Sequence, residues 1–155
     1  MITALSPKQG RFLTEAVSAL AVQAEARAVL LTDLAGNVLV NTPYSDPLTV
    51  QTIGALGAGS FSATRELAAL TGEEAFNSIS HQGKEIGLHV CGIDESFLLL
   101  IIFDRTTTLG LVKLYTEKAV AELAPALREV AEQSVASITA PSTRFEMADT
   151  VFSGV

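Results

Sequence analysis

The chain has 155 residues, of which 48% are hydrophobic and 17% are charged, so a folded core is expected and disorder is excluded as the main state. Its 10 Lys and Arg residues against 17 Asp and Glu give a net charge of −7, which excludes a domain with a basic face for nucleic acid and disfavours an anionic membrane surface. The single cysteine, Cys91, and the absence of a long apolar run predict a cytoplasmic protein without signal peptide or membrane insertion.

The first half of the chain predicts a helix, a hairpin and a second helix. Apolar residues recur at intervals of three and four over residues 7–24, and Ser6 precedes them as an N-cap. Strands are predicted over 28–32 and 38–41, on either side of the turn residues 33–37. The second helix is predicted over 47–70, with Asp46 as its N-cap and Gly72 at its end.

The second half predicts three strands and a long helix. Strands over 76–82 and 85–91 are hinged at Gly83-Lys84, which places Ser78 opposite His89. Residues 96–103 are almost entirely apolar, as in a central strand buried on both faces. A helix follows over 111–138. Residues 1–140 are thus predicted to form one domain, and 141–155 a flexible tail.

The predicted order is α-β-β-α-β-β-β-α. Five sequential strands, joined mostly by hairpins, predict a five-stranded antiparallel sheet covered by three helices, which is an α+β fold.

Motifs for chemistry are weak in this sequence. The Gly57-x-Gly59 pattern lies inside a predicted helix, where a dinucleotide fingerprint has no function. His89 and Cys91 share one strand face, but a zinc site needs three or four ligands, so both are interpreted as structural. The paired acids 73–74 and 94–95 are interpreted as solvated turns. The sequence therefore predicts no cofactor, no metal and no catalytic site of its own.

The second helix has the most informative pattern. At 100° per residue, one face is predicted to pack on the core. The opposite face is predicted to be small and nearly uncharged, which suits the close approach of a helix from a second copy, or alternatively packing within the chain. The predicted core face comprises Val50, Ile53, Leu56, Phe61, Leu67 and Ala68, and the small face Gly54, Ala55, Ala58, Ser62 and Ala69.

Several segments together resemble the roadblock superfamily, and most closely its bacterial branch typified by MglB, the partner of the small Ras-like GTPase MglA. The resemblance spans about residues 7–140. It is carried by the strand and turn at 28–39, the Ala/Gly-rich stretch 56–64, the segment 67–73, the turn His81-Gln82-Gly83, and the segment 102–114.

The resemblance implies a homodimer in which the second helices pack side by side and the sheet continues across the two copies. It also implies a regulator that stimulates GTP hydrolysis by positioning the catalytic groups of an MglA-like GTPase, without an arginine finger. Carried onto this chain, the GTPase-docking residues are Ser62, Arg65, Glu66 and Ala69. The dimer-interface residues are Gly54, Ala55, Ala58, Phe76, Ser78 and Ser80.

Two other functions stay open at this point. A roadblock-type adaptor would bind partners without changing hydrolysis, and a small-molecule sensor domain would enclose a ligand between sheet and helices. Two interpretations of the tail also remain: a disordered end, or a short helix that docks on the GTPase.

Overall fold

A computed structural model describes residues 4–44, 46–74 and 76–139, and side chains as far as residue 136. The predicted α+β fold and element order are confirmed. The elements are α1 (Pro7–Gln23), β1 (Ala28–Asp33), β2 (Val38–Asn41), α2 (Pro47–Thr71), β3 (Ser78–Gln82), β4 (Ile86–Ile93), β5 (Phe97–Asp104) and α3 (Leu109–Thr139). The tail predicted over 141–155 lies outside the described residues.

The five strands form one antiparallel sheet in the order β2-β1-β5-β4-β3. The apolar run in β5 occupies the centre, and its residues 97–103 are all buried, because this strand has neighbours on both sides and helices on both faces. β2 and β3 are the two edges. The free edge of β3 is the one that lies next to the candidate site described below.

Helices α1 and α3 cover one face of the sheet, and α2 covers the other alone. The core on the α1 and α3 side includes Leu13, Leu20, Leu99, Leu123 and Leu127. The core beneath α2 is smaller and includes Val50, Phe61, Val90, Leu98 and Leu100. One side of α2 therefore rests on the sheet, and no other helix of the described chain covers its outer side.

The predicted helix caps are confirmed. Ser6 accepts a hydrogen bond from the Gln9 N–H at 3.1 Å, and the Gln9 side chain accepts one from the Ser6 N–H in a capping box. Asp46 accepts from the Thr49 N–H at 3.1 Å. Gly72 ends α2 in the left-handed region, with φ of 83°, where glycine carries no steric penalty.

Two predictions for the β3–β4 hairpin are wrong in detail. Residues 83–86 form the turn, so Ser80 pairs with His89, and Ser78 pairs with Cys91. This shift of two residues preserves which face each side chain occupies, since strand side chains alternate. Phe76 precedes β3 and is not part of the strand.

No helix among the described residues is long and apolar enough to cross a bilayer.

Candidate docking surface on the second helix

The face of α2 that points away from the sheet is rich in leucine. Leu48, Leu56, Leu67 and Leu70 are between 55 and 83% exposed. At 100° per residue they lie within about 100° of one another, with Thr52, Gly59 and Ala63 between them. A helix face exposed to water normally carries charged side chains, so this leucine face is an unusually apolar part of the exposed surface.

The prediction of which α2 residues form the core was wrong for Leu56 and Leu67, which are exposed. The buried side of the helix includes the small residues Gly54, Gly57 and Ala58. A Cβ at Gly54 would approach the Gly36 oxygen to 2.9 Å, and one at Gly57 would overlap the Leu100 side chain. The small residues are therefore needed because α2 lies close against its own sheet.

This packing corrects two residues of the predicted dimer interface. Gly54 and Ala58 are buried against the chain's own strands and present no surface to a second copy. Ala55 is exposed on the other side of the helix. Ser78 is exposed and Ser80 half-buried on β3, and Phe76 is half-buried just before it.

The backbone of β3 faces outward at both serines. Gly92 donates its N–H to the Asn77 carbonyl at 3.0 Å, and Gly83 donates to the Ile86 carbonyl at 2.8 Å. Because hydrogen-bonded and non-hydrogen-bonded pairs alternate in an antiparallel ladder, the N–H and C=O groups of Ser78 and Ser80 point away from β4. They form an open edge on which another strand can add.

The four predicted docking residues all line one groove. This cavity, of about 600 Å³, lies between the C-terminal half of α2, the segment before β3 and the β4–β5 turn. Ser62, Arg65, Glu66 and Ala69 form its α2 wall, and Phe61, Phe76 and Leu34 supply apolar surface. A Cβ at Gly92 would come within 3.0 Å of Phe61 Cζ, so this glycine leaves room for the Phe61 ring beside β4.

Acidic residues that the sequence analysis placed in plain solvated turns also line this groove. Glu73 and Glu74 follow α2, and Asp94 and Glu95 form the β4–β5 turn. With Glu66 they place five carboxylates against the one guanidinium of Arg65. Only Asp94 has a described ion-pair partner, Arg128 at 3.5 Å. The pairs 73–74 and 94–95 are about twenty residues apart, so no local pattern indicated that they share a site.

His89 and Cys91 lie on the other face of the sheet, away from this groove. Ser80 Oγ and His89 Nδ1 share a hydrogen bond of 2.8 Å. Burial, followed by the charge of Lys113, lowers the pKa of His89 to about 4, and burial, followed by the charge of Glu117, raises the pKa of the Cys91 thiol to about 11. Both groups are therefore neutral at pH 7. Among the described residues, no group of three or more His, Cys, Asp or Glu side chains could hold a metal ion.

Comparison with solved structures agrees with this architecture. The chain is 33% identical to a protein described as MglB with tetrameric arrangement, with a TM-score of 0.76 and coverage of 83% of this chain and 96% of that one. It is 34% identical to the gliding protein MglB from Thermus thermophilus, with a TM-score of 0.75 and coverage of 82 and 96%. A Roadblock/LC7 domain from Streptomyces avermitilis, at 17% identity, a TM-score of 0.69 and coverage of 74 and 97%, shares the fold. No protein-family model and no curated protein matches the chain.

A five-stranded antiparallel sheet with α1 and α3 on one face and α2 on the other is the fold that this chain shares with roadblock domains. The chain belongs to the MglB-like branch of the roadblock superfamily.

Proposed function

We propose that this protein is a homodimeric regulator of a small Ras-like GTPase, and that it stimulates GTP hydrolysis by docking through α2. The observation that carries the proposal is the leucine face of α2, because it is apolar, uncovered and opposite the sheet. Membership of the MglB-like branch supports a regulatory role for that surface.

Covering the leucine face with a partner is favourable in free energy. Burying a leucine side chain that water otherwise contacts stabilises by about 1.5–3 kcal/mol. Leu56 and Leu67 lie near the middle and end of a 25-residue helix, so a partner that covers both must lie along much of its length. The covering surface is thus provided by another folded element, such as the α2 of a second copy together with the GTPase.

The dimer is proposed to use β3 as well as α2. The outward-facing backbone groups of Ser78 and Ser80 allow the β3 strands of two copies to pair and so to continue the sheet. Ala55 and Phe76 remain candidates for this interface, whereas Gly54 and Ala58 do not. The two α2 helices would then lie next to each other on one side of the extended sheet.

The groove is proposed to form one side of the GTPase-docking surface, next to the leucine face. Ser62, Arg65, Glu66 and Ala69 line it directly beside the leucine face. Arg65 is exposed and has no described ion-pair partner, so it is available for a contact. Its proposed role is docking: the GTPase supplies the groups that act on GTP.

The proposal is tested by binding to a Ras-like GTPase encoded in the same genome, loaded with a non-hydrolysable GTP analogue or with GDP. Leu56→Asp and Leu67→Asp place a charge on the leucine face and are expected to abolish binding. Val22→Asp is the matched control, because Val22 is similarly exposed but lies on α1, across the sheet. Wild-type protein that binds neither nucleotide form of any such GTPase would refute the proposal.

An adaptor role uses the same surface and differs only in its consequence for hydrolysis. Binding with unchanged turnover would identify the adaptor.

A further inference from the structure

The end of the molecule at which the described part of α3 ends holds a cavity of about 310 Å³. It lies between the β1–β2 turn, the start of β5 and the last turns of α3, and it shares only Leu34 with the groove beside α2. Leu34, Phe97, Ala131 and Val135 supply its apolar walls. Val135 is 60% exposed, so water reaches an apolar side chain at the rim of the cavity.

Two polar side chains that line the cavity are already hydrogen-bonded within the chain. The Asp33 carboxylate accepts hydrogen bonds of 2.9 Å from the N–H groups of Ala35 and Asn37, and another of 2.9 Å from the Asn37 side chain. The Ser134 hydroxyl donates to the Val130 carbonyl at 3.1 Å. The cavity therefore suits an apolar side chain better than a polar ligand.

A second cavity, of about 240 Å³, adjoins this one and brings a cation close to it. The two share Phe97 and Ala131, and Arg128 lines the second together with Asp94 and Glu95. The Arg128 side chain is 61% exposed and lies 3.5 Å from Asp94. A guanidinium has five N–H donors, so Arg128 can also bind a further carboxylate.

The same chain has an apolar segment that can reach the cavity. The tail, residues 141–155, lies outside the described residues, and Phe145 is its first large apolar side chain after Pro141. Val135 lies one helical turn, about 6 Å, before Thr139, where the described part of α3 ends. The chain from Thr139 to Phe145 spans up to about 20 Å when extended, which is enough to return to the cavity.

Two features of the tail sequence favour such a return. Pro141 has no N–H with which to extend the hydrogen bonding of α3, so the chain can change direction there. Phe145 closes a shorter loop than Phe152 would, and the entropic cost of closing a flexible loop rises with its length. Phe145 is therefore the favoured occupant.

Charge selects this cavity over the groove beside α2 as the site for the tail. The tail carries the carboxylates of Glu146 and Asp149 against the single cation Arg144. The groove beside α2 holds five carboxylates and the one guanidinium of Arg65, so it repels an acidic segment. Arg128, beside the cavity, attracts one.

We propose that the tail covers this cavity in the same molecule, with the Phe145 ring against Val135 and Leu34 and the Glu146 carboxylate beside Arg128. Burial of the ring removes apolar surface of both the tail and the cavity rim from water, and this supplies the driving force. The ion pair adds little affinity at an exposed site, but it orients the tail. The contact does not depend on the proposed regulation of a GTPase.

The test is limited trypsin digestion of the full chain. Arg144 is the only Lys or Arg of the tail, so cleavage after it releases residues 145–155, which mass spectrometry measures. When the tail opens and closes faster than it is cleaved, the rate reports the open population. The wild-type chain is expected to be cleaved at Arg144 about tenfold more slowly than a synthetic peptide of residues 140–155.

Phe145→Ala is expected to remove this protection, with the rate compared with that of a peptide carrying the same substitution. Phe152→Ala is the control in the tail and is expected to keep the protection. Val135→Asp is expected to remove it from the cavity side, because an exposed position accepts the charge without unfolding α3. Val22→Asp, at a similarly exposed valine on α1, is the matched control and is expected to keep it.

Three results would overturn the proposal. The first is cleavage of the wild-type chain at the rate of the peptide, and the second is protection that Val135→Asp leaves unchanged. The third is protection that depends on another molecule. Protection that is lost on dilution would place the tail on a second copy, and protection that appears only with a Ras-like GTPase would place it on that partner.

Discussion

Ser80 Oγ and His89 Nδ1 lie 2.8 Å apart across the β3–β4 pair, and they join the open edge of the sheet to its buried interior. His89 is only 3% exposed, and burial lowers its pKa so that the imidazole is neutral at pH 7. The edge strand on which the proposed dimer depends is thus joined to β4 partly by a histidine whose neutral form burial favours.

Protonation of His89 is expected to destabilise the fold. Its pKa is lowered from 6.5 to about 4, so in this pH window the unfolded chain binds more protons than the folded one. Stability therefore rises with pH across the window and is fully present above 6.5. His89→Gln should flatten this dependence in urea unfolding at about pH 5 and pH 7, measured at one protein concentration.

His81→Gln is the control for this experiment, because His81 is exposed on the opposite face of β3. If His89→Gln retains the full pH dependence, the protonation of His89 is not its cause.

Substitutions at two glycines of α2 allow the effect of helix propensity on stability to be distinguished from the effect of packing against the sheet. Gly57→Ala and Gly59→Ala both gain about 1 kcal/mol of helix propensity. A Cβ at Gly57 would overlap Leu100, whereas one at Gly59 meets nothing within 4 Å. Gly57→Ala is therefore expected to be less stable than Gly59→Ala by about 1–3 kcal/mol in chemical denaturation. Equal stabilities would show that α2 does not lie as close to the sheet as described.

The proposed dimer can be tested at its strand edge. The Ser78 N–H points away from β4, so Ser78→Pro removes no hydrogen bond of the β3–β4 ladder but removes one available to a second copy. Light scattering is expected to give a dimer for the wild type and for Ser78→Ala, and a monomer for Ser78→Pro. A dimer of Ser78→Pro with unchanged affinity would place the interface elsewhere.

Cys91 is expected to be unreactive in the folded protein. Burial raises the pKa of its thiol to about 11, and the thiolate is the reactive form. A thiol-specific chromogenic reagent at about pH 8 should label the native protein slowly and the denatured protein at the rate of a free thiol. Rapid labelling of the native protein would contradict a raised pKa of this half-buried thiol.

Local patterns in the sequence predicted the elements and their order well. The ends of helices could be predicted at Ser6, Asp46 and Gly72, because helix capping depends on a few adjacent residues. The apolar run at 97–103 identified the central strand because a strand buried on both faces lacks alternation, and the run is too short for a typical helix.

The orientation of α2 was not predictable in the same way. Large apolar residues were assigned to the core, but the helix lies so close to the sheet that Gly54 and Gly57 face it, while Leu56 and Leu67 point outward. The groove was not predicted from the sequence; only the four residues that form its α2 wall were named, as docking residues. Its acidic wall includes Asp94 and Glu95, which the β4–β5 turn brings to α2 from far along the chain.

The most direct measurement of the central claim is the rate of phosphate release from a GTP-loaded Ras-like GTPase of the same genome, in a single turnover. Wild-type protein is expected to accelerate release. Arg65→Ala is expected to weaken binding but to retain the accelerated rate at saturation, since a trans-supplied arginine finger would contribute about 10³–10⁵ in rate. Wild-type protein that binds the GTPase without accelerating release would contradict the account, and loss of rate in fully bound Arg65→Ala would contradict the docking role of Arg65.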